Sequence, residues 1–90
     1  MIACMGYVYI LKLVNERYYV GSTIDIDRRF LEHQSGEVLS TANLRPLELV
    51  FFQRYPTPAE ARKIEYKLKK LKSRKIIEQI VQDKIIHMRP

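Results

Sequence analysis

The stretch "YVGSTIDIDRRFLEHQSG", Tyr19 to Gly36, runs an aromatic segment into a glycine and then into a helical pattern carrying Arg29 and His33. Residues four apart share one helix face, so these two side chains meet. Together with Tyr9, Tyr19 and Glu65 they are what remains once other chemistry is set aside. Gly6, Gly21 and Gly36 are isolated, so there is no glycine-rich phosphate loop. His33 and His87 lack metal-ligand spacing, and no Ser-His-Asp or Cys-His arrangement follows from the spacing. The charge points to the class of partner. Residues 61–90 carry ten basic and three acidic side chains, net +7, whereas residues 1–60 are net −1. Between Arg62 and Lys75 stand eight Lys/Arg and a single acid, Glu65. Such a block favours a polyanion.

Each candidate also has an ordinary explanation. Tyrosine in a strand is usually packing, and arginine on a helix is usually surface. His33 near a helix C-terminus can interact with the dipole. Glu65 stands four residues before Lys69, and such a helix pair contributes only about 0.3 kcal/mol.

The elements that must position these residues follow from patterning. "GYVYILKLV" (Gly6–Val14) and "RYYVG" (Arg17–Gly21) are rich in Tyr, Val and Ile and read as a β-hairpin. Alternation puts Tyr7, Tyr9 and Leu11 on one face and Val8, Ile10 and Lys12 on the other. A short polar joint follows, where Thr23 or Asp25 caps a helix with Ile26, Arg29, Phe30 and His33 at helical spacing and Gly36 as its stop. "LELVFFQRY" (Leu47–Tyr55) predicts a third strand, apolar enough for burial on both faces. Thr57, Pro58 and Glu60 open a second helix with a capping-box signature, and Ala61, Ile64, Leu68 and Leu71 form its core stripe. A third helix starts at Ser73, with Ile76, Ile77, Ile80 and Val81 as its apolar face. The tail after Val81 has no clear pattern. The order ββαβαα predicts an α/β (α+β) fold: a small, mainly antiparallel three-stranded sheet flanked by helices.

The pattern "YVY", nine residues, "YVG", seven residues, Arg29, three residues, His33, followed by "EARKIEYKLKK", resembles the GIY-YIG nuclease superfamily, in particular its small single-domain bacterial members. The resemblance covers roughly residues 6 to 80. It implies one nuclease domain over residues 1–90 and a three-stranded antiparallel sheet with helices around it. It also implies endonucleolytic cleavage of phosphodiester bonds, in DNA and with a possible structure selectivity, using one divalent ion, Mg²⁺ or Mn²⁺. Carried over by position, the catalytic set is Tyr9, Tyr19, Arg29, His33 and Glu65, with Glu65 the metal ligand. Lys12, Arg28, Lys69, Lys70 and Lys72 are the candidate nucleic-acid contacts. The chain departs from the pattern at Tyr7 and Val8, where the motif name has Gly and Ile. It has Ala42 where many small members place a basic residue after the loop threonine, Leu71 where many have Trp, and no Asn after the glutamate helix.

Under this resemblance the residue types make chemical sense. A single carboxylate suits Mg²⁺, which keeps several waters. Arg29 can clamp phosphate oxygens through its planar fork. Tyr9 or Tyr19 can orient or deprotonate the attacking water if Arg29, the metal and Lys12 favour the phenolate over a reference pKa of about 10. His33, with the reference pKa nearest neutrality, can relay a proton. The other reading is a nucleic-acid-binding module with this fold and little catalysis. A protein partner that supplies specificity fits either.

Composition bounds the rest. At 47% hydrophobic and 29% charged residues the chain reads as folded rather than disordered. No apolar run approaches the roughly 18 residues of a membrane span. The start lacks a basic region and a cleavage site, so no signal peptide is expected. Cys4 is the only cysteine. It can form no internal disulfide, and a reducing, cytoplasmic compartment is expected.

Overall fold

A computed structural model describes residues 4–90. Three strands, β1 (Gly6–Lys12), β2 (Tyr18–Thr23) and β3 (Glu48–Tyr55), and three helices, α1 (Ile26–Gln34), α2 (Pro58–Leu71) and α3 (Arg74–Asp83), follow the expected order ββαβαα. The sheet is antiparallel in the order β2-β1-β3. Its central strand therefore carries Tyr9, and β2 lies at an edge.

The alternation along β1 separates two cores. Val8 and Ile10 face Val20, Phe51, Ala61, Ile64 and Leu68, under α2 and α3. Tyr9 and Leu11 face Leu13 and Leu47, with Ile26 and Phe30 of α1 packed against them. Each helix begins at a side-chain cap that satisfies a free N–H. Asp25 accepts from Arg28 N at 3.1 Å, Thr57 from Glu60 N at 3.2 Å and Ser73 from Ile76 N at 3.3 Å. Pro58 sits in the first turn of α2. Gly36, at φ +83°, follows the end of α1 in a conformation that glycine adopts without steric cost.

The structure corrects several expectations. β3 is the other edge strand, not one buried on both faces. Phe52 is 54% exposed there, because apolarity alone does not fix strand order. Leu71 is 48% exposed rather than in the α2 stripe, since the chain turns at Lys72 (φ +50°) before it can pack. β2 runs on through Ser22 and Thr23, where a polar joint was expected. The tail turns back at Lys84 (φ +60°) and docks. Gln53 accepts from Ile86 N at 2.9 Å and donates to the Ile86 carbonyl at 3.3 Å, which buries the Ile86 side chain.

Candidate active site

Tyr9 is where the elements converge. In the β1–β2 register it faces Gly21. A Cβ on Gly21 would lie 2.4 Å from both Cζ and Oη of Tyr9, so the ring lies across that glycine. This close approach carries the hydroxyl from the central strand toward α1 and the outer side of the sheet. The Tyr9 hydroxyl is 2.8 Å from His33 Nε2, and Arg29 Nε donates to it at 3.4 Å. Glu32, one helical turn on, holds the same guanidinium at 3.1 Å. Thr41 Oγ1 lies 2.8 Å from His33 Nδ1 and 3.4 Å from the Val38 carbonyl. His33 and Thr41 are fully buried.

The hydrogen bonds select one tautomer. With the proton on His33 Nδ1, Thr41 accepts it and donates its own to Val38. Tyr9 then accepts from Arg29 and donates to Nε2, and every group has a partner. With the proton on Nε2, the Tyr9 O–H loses its acceptor and Thr41 must abandon Val38. Satisfying all buried donors therefore favours the first arrangement. Tyr9 is a phenol whose proton points at imidazole.

Protonation agrees. Burial pushes the Tyr9 pKa up to about 12, with Tyr19 and Glu65 adding to the rise and Arg29 opposing it. Of the cations expected to favour phenolate, Arg29 does lower the Tyr9 pKa, but desolvation outweighs it. Burial, followed by the Arg29 cation, pulls His33 down to about 4. His33 is neutral at physiological pH rather than poised near 6.5. The hydrogen bond with Tyr9 holds Arg29 further toward its charged form.

Tyr19 joins the cluster edge-on to the His33 ring, with centroids 5.0 Å apart. Glu65 arrives from α2. Its Oε1 accepts a short hydrogen bond from Ser22 Oγ, and its Oε2 pairs with Lys69 at 2.7 Å. Lys69 Nζ also lies 5.4 Å from the Tyr19 ring centroid. The structure therefore brings together Tyr9, Tyr19, Arg29 and His33, with Glu65 and Lys69 alongside. Lys12 stands apart and pairs with Glu16 at 3.1 Å. Arg28 is exposed in the first turn of α1. Lys70 lies over the Tyr66 ring, and Lys72 is exposed at the end of α2.

The profile of the GIY-YIG catalytic domain matches residues 5–77. The chain belongs to the GIY-YIG family. Its relatives include a UPF0213 protein of Natronomonas pharaonis, 37% identical over 86% of this chain and 91% of that one. A UPF0213 protein of Halalkalibacterium halodurans is 40% identical over 77% of this chain and 74% of its own length. The solution NMR structure of the UPF0213 protein from Bacillus halodurans superposes with a TM-score of 0.59 at 40% identity, covering 89% of this chain and 85% of that one. Membership of a nuclease family, and of its small UPF0213 branch, thus rests on most of the chain.

Sequence reasoning missed Ser22, Glu32 and Thr41. Glu32 had a readable signal in its three-residue spacing from Arg29. Ser22 had none, because it reaches Glu65 across 43 residues, and Thr41 was marked only as the loop threonine of the resemblance, without its bond to His33 eight residues away.

As to a metal, the described residues bring no three or more His, Cys, Asp and Glu side chains together so that they could hold an ion. Mg²⁺ is often held by one or two carboxylates together with waters and substrate phosphate, and Glu65 is a carboxylate beside the cluster. Glu65 is partly exposed, and its partner Lys69 is half exposed.

Proposed function

We propose that this GIY-YIG protein is an endonuclease that hydrolyses phosphodiester bonds in DNA with Mg²⁺ or Mn²⁺. The observation that carries the reading is the Tyr9 hydroxyl, held between neutral His33 and cationic Arg29 with the Glu65 carboxylate close enough to raise its pKa. Glu65 would hold the ion, which when bound stabilises the charge that develops on phosphate.

The chain's own residues supply the rest. The Arg29 guanidinium, steadied by Glu32, presents its outer N–H groups to a phosphate oxygen. The second lone pair of the Tyr9 oxygen accepts a proton from the attacking water, while the phenol proton moves to His33 Nε2. Neither a phenolate nor a free hydroxide has to exist beforehand. Both groups start the relay neutral, a phenol with a pKa of about 12 and an imidazole with one of about 4, and an imidazole so weakly basic holds the proton only transiently before releasing it to water. Tyr9, rather than Tyr19, is the water-orienting tyrosine, because it alone of the two bonds both His33 and Arg29.

A second reading has its own support. The Glu65 oxygens are engaged by Ser22 and Lys69, as a purely nucleic-acid-binding face would allow. The substitution Glu65→Gln separates the two. A nuclease loses Mg²⁺-dependent cleavage by orders of magnitude while metal-free DNA affinity holds or rises, since a carboxylate repels phosphate. Full cleavage by a folded Glu65→Gln protein removes the metal-ligand assignment, and absence of Mg²⁺-dependent cleavage by the unaltered protein removes the enzyme reading.

A further inference from the structure

Beside the tyrosine cluster, a groove of about 430 Å³ runs between the β2 edge and the junction of α2 with α3. A volume of this size lies within the roughly 300–1,000 Å³ range of ligand pockets. Its apolar lining is the Tyr18 ring with Val20, Leu68 and Ile77. Its rim is cationic, with Arg17, Lys69, Lys72 and Arg74, and no acidic side chain lines it. Arg74 already lies 5.6 Å from the Tyr18 ring centroid and pairs with Glu78 at 2.7 Å on its outer side. Among the described residues, no ion pair engages Arg17 or Lys72. The groove is continuous with the candidate active site, because Tyr19 and Lys69 line the one and belong to the other.

We propose that this groove seats an unpaired nucleobase next to the cleaved phosphate, its face against Tyr18 and its flanking phosphates on Lys72, Arg17 and Arg74. The inference rests on the nuclease reading for what the neighbouring site does. An acidic peptide would match the cationic rim but leave the Tyr18 ring without a flat partner. A nucleotide matches both, since stacking on an aromatic ring and a basic groove along the backbone are how single strands are held. A paired base has its faces buried in the duplex and cannot use Tyr18.

The test measures affinity in Mg²⁺-free buffer, using the full chain carrying Glu65→Gln so that nothing is cut. The probes are an unstructured single-stranded oligonucleotide and a hairpin duplex. Tyr18→Leu should weaken the single strand by at least about fivefold, the low end of one lost base–aromatic stack, and leave the duplex unchanged. Tyr18→Phe, which keeps the ring, should bind as the parent does. Should Tyr18→Leu not fold, Arg17→Glu with Lys72→Glu should weaken the single strand instead, and poly-glutamate should compete poorly. Equal losses on both probes, no loss on either, or full competition by poly-glutamate overturns the groove assignment. Cleavage by the unaltered protein is scored separately. Tyr18-dependent binding without cleavage supports the groove and sinks the nuclease reading. Cleavage with Tyr18-independent binding sinks the groove alone.

Discussion

Gly21 gives the most direct test of how the site is built. Alanine at this position would place its Cβ 2.4 Å from Cζ and Oη of Tyr9 and 2.8 Å from Cε1, where ordinary contact begins near 3.4 Å. The ring must therefore retreat by about 1 Å, and a misplacement of that size can cost about 100-fold in rate. Fully buried His33 stands against the ring, 5.6 Å centroid to centroid, so a retreat disturbs that contact. Glycine in a strand interior is otherwise unfavourable, so a bare strand would gain from alanine. Any loss of stability is then overpacking, about 1–3 kcal/mol. The assay is Mg²⁺-dependent nicking of DNA, with thermal melting and metal-free affinity measured in parallel. We expect a folded protein, near-normal affinity and a rate lower by about 100-fold. Tyr9→Phe supplies the internal control. If Gly21→Ala acts by moving the hydroxyl, adding it to Tyr9→Phe costs little further rate, since sites that act as one unit are not additive. A folded Gly21→Ala protein with full activity, or strictly additive losses, refutes the claim that this glycine exists to place Tyr9.

His33 makes stability depend on pH in a defined direction. The unfolded chain takes up its proton near 6.5 and the folded chain only near 4, so acidification across that window favours unfolding by up to about 3 kcal/mol. Denaturant melts of His33→Gln should lose less stability between pH 7 and pH 4 than the unaltered chain, and parallel curves would place His33 outside the core. Thr41→Val, close in shape but without the hydroxyl, should lower the cleavage rate more than DNA affinity, because imidazole then loses its tautomer partner. An unchanged rate would make Thr41 mere packing. Arg29→Ala should reduce cleavage far more than binding, since a phosphate clamp acts most on charge that develops in the transition state. Equal losses in both would mean that Arg29 only grips the bound substrate.

Local chemistry was legible wherever its cause was local. The caps at Asp25, Thr57 and Ser73 are short-range side-chain to backbone contacts, and their residue types announce them. The alternation Tyr9/Leu11 against Val8/Ile10 predicted two faces, and two cores occupy them. What could not be read depends on which strand lies beside which. The edge position of β3 and the exposure of Phe52 follow from sheet order, which apolarity does not encode. The convergence on Tyr9 was legible only as a set of spacings, because the contacts join residues 20 and 24 apart. The shifts of Tyr9 and His33 could not be read from sequence for one reason. Residue type supplies a reference pKa, whereas the buried position the fold assigns decides the shift.

The edge position of β2 unites these features. Tyr9 comes from the central strand with α1 on its face of the sheet, whereas α2 packs on the opposite face. Side chains from opposite faces can meet only around an edge. Gly21 opens the path for Tyr9 across β2, and Ser22, the next residue, ties the Glu65 carboxylate down at the same edge. Adjacent strand residues point to opposite faces, so a glycine followed by a hydroxyl residue serves both sides at once. An exposed strand edge is normally a liability guarded by charge. Here the guards are Lys69 and Arg74, over Tyr19 and Tyr18 respectively. Under the proposed function these cations over β2 would also meet a phosphate backbone, so that guarding the edge and attracting substrate would fall to the same side chains.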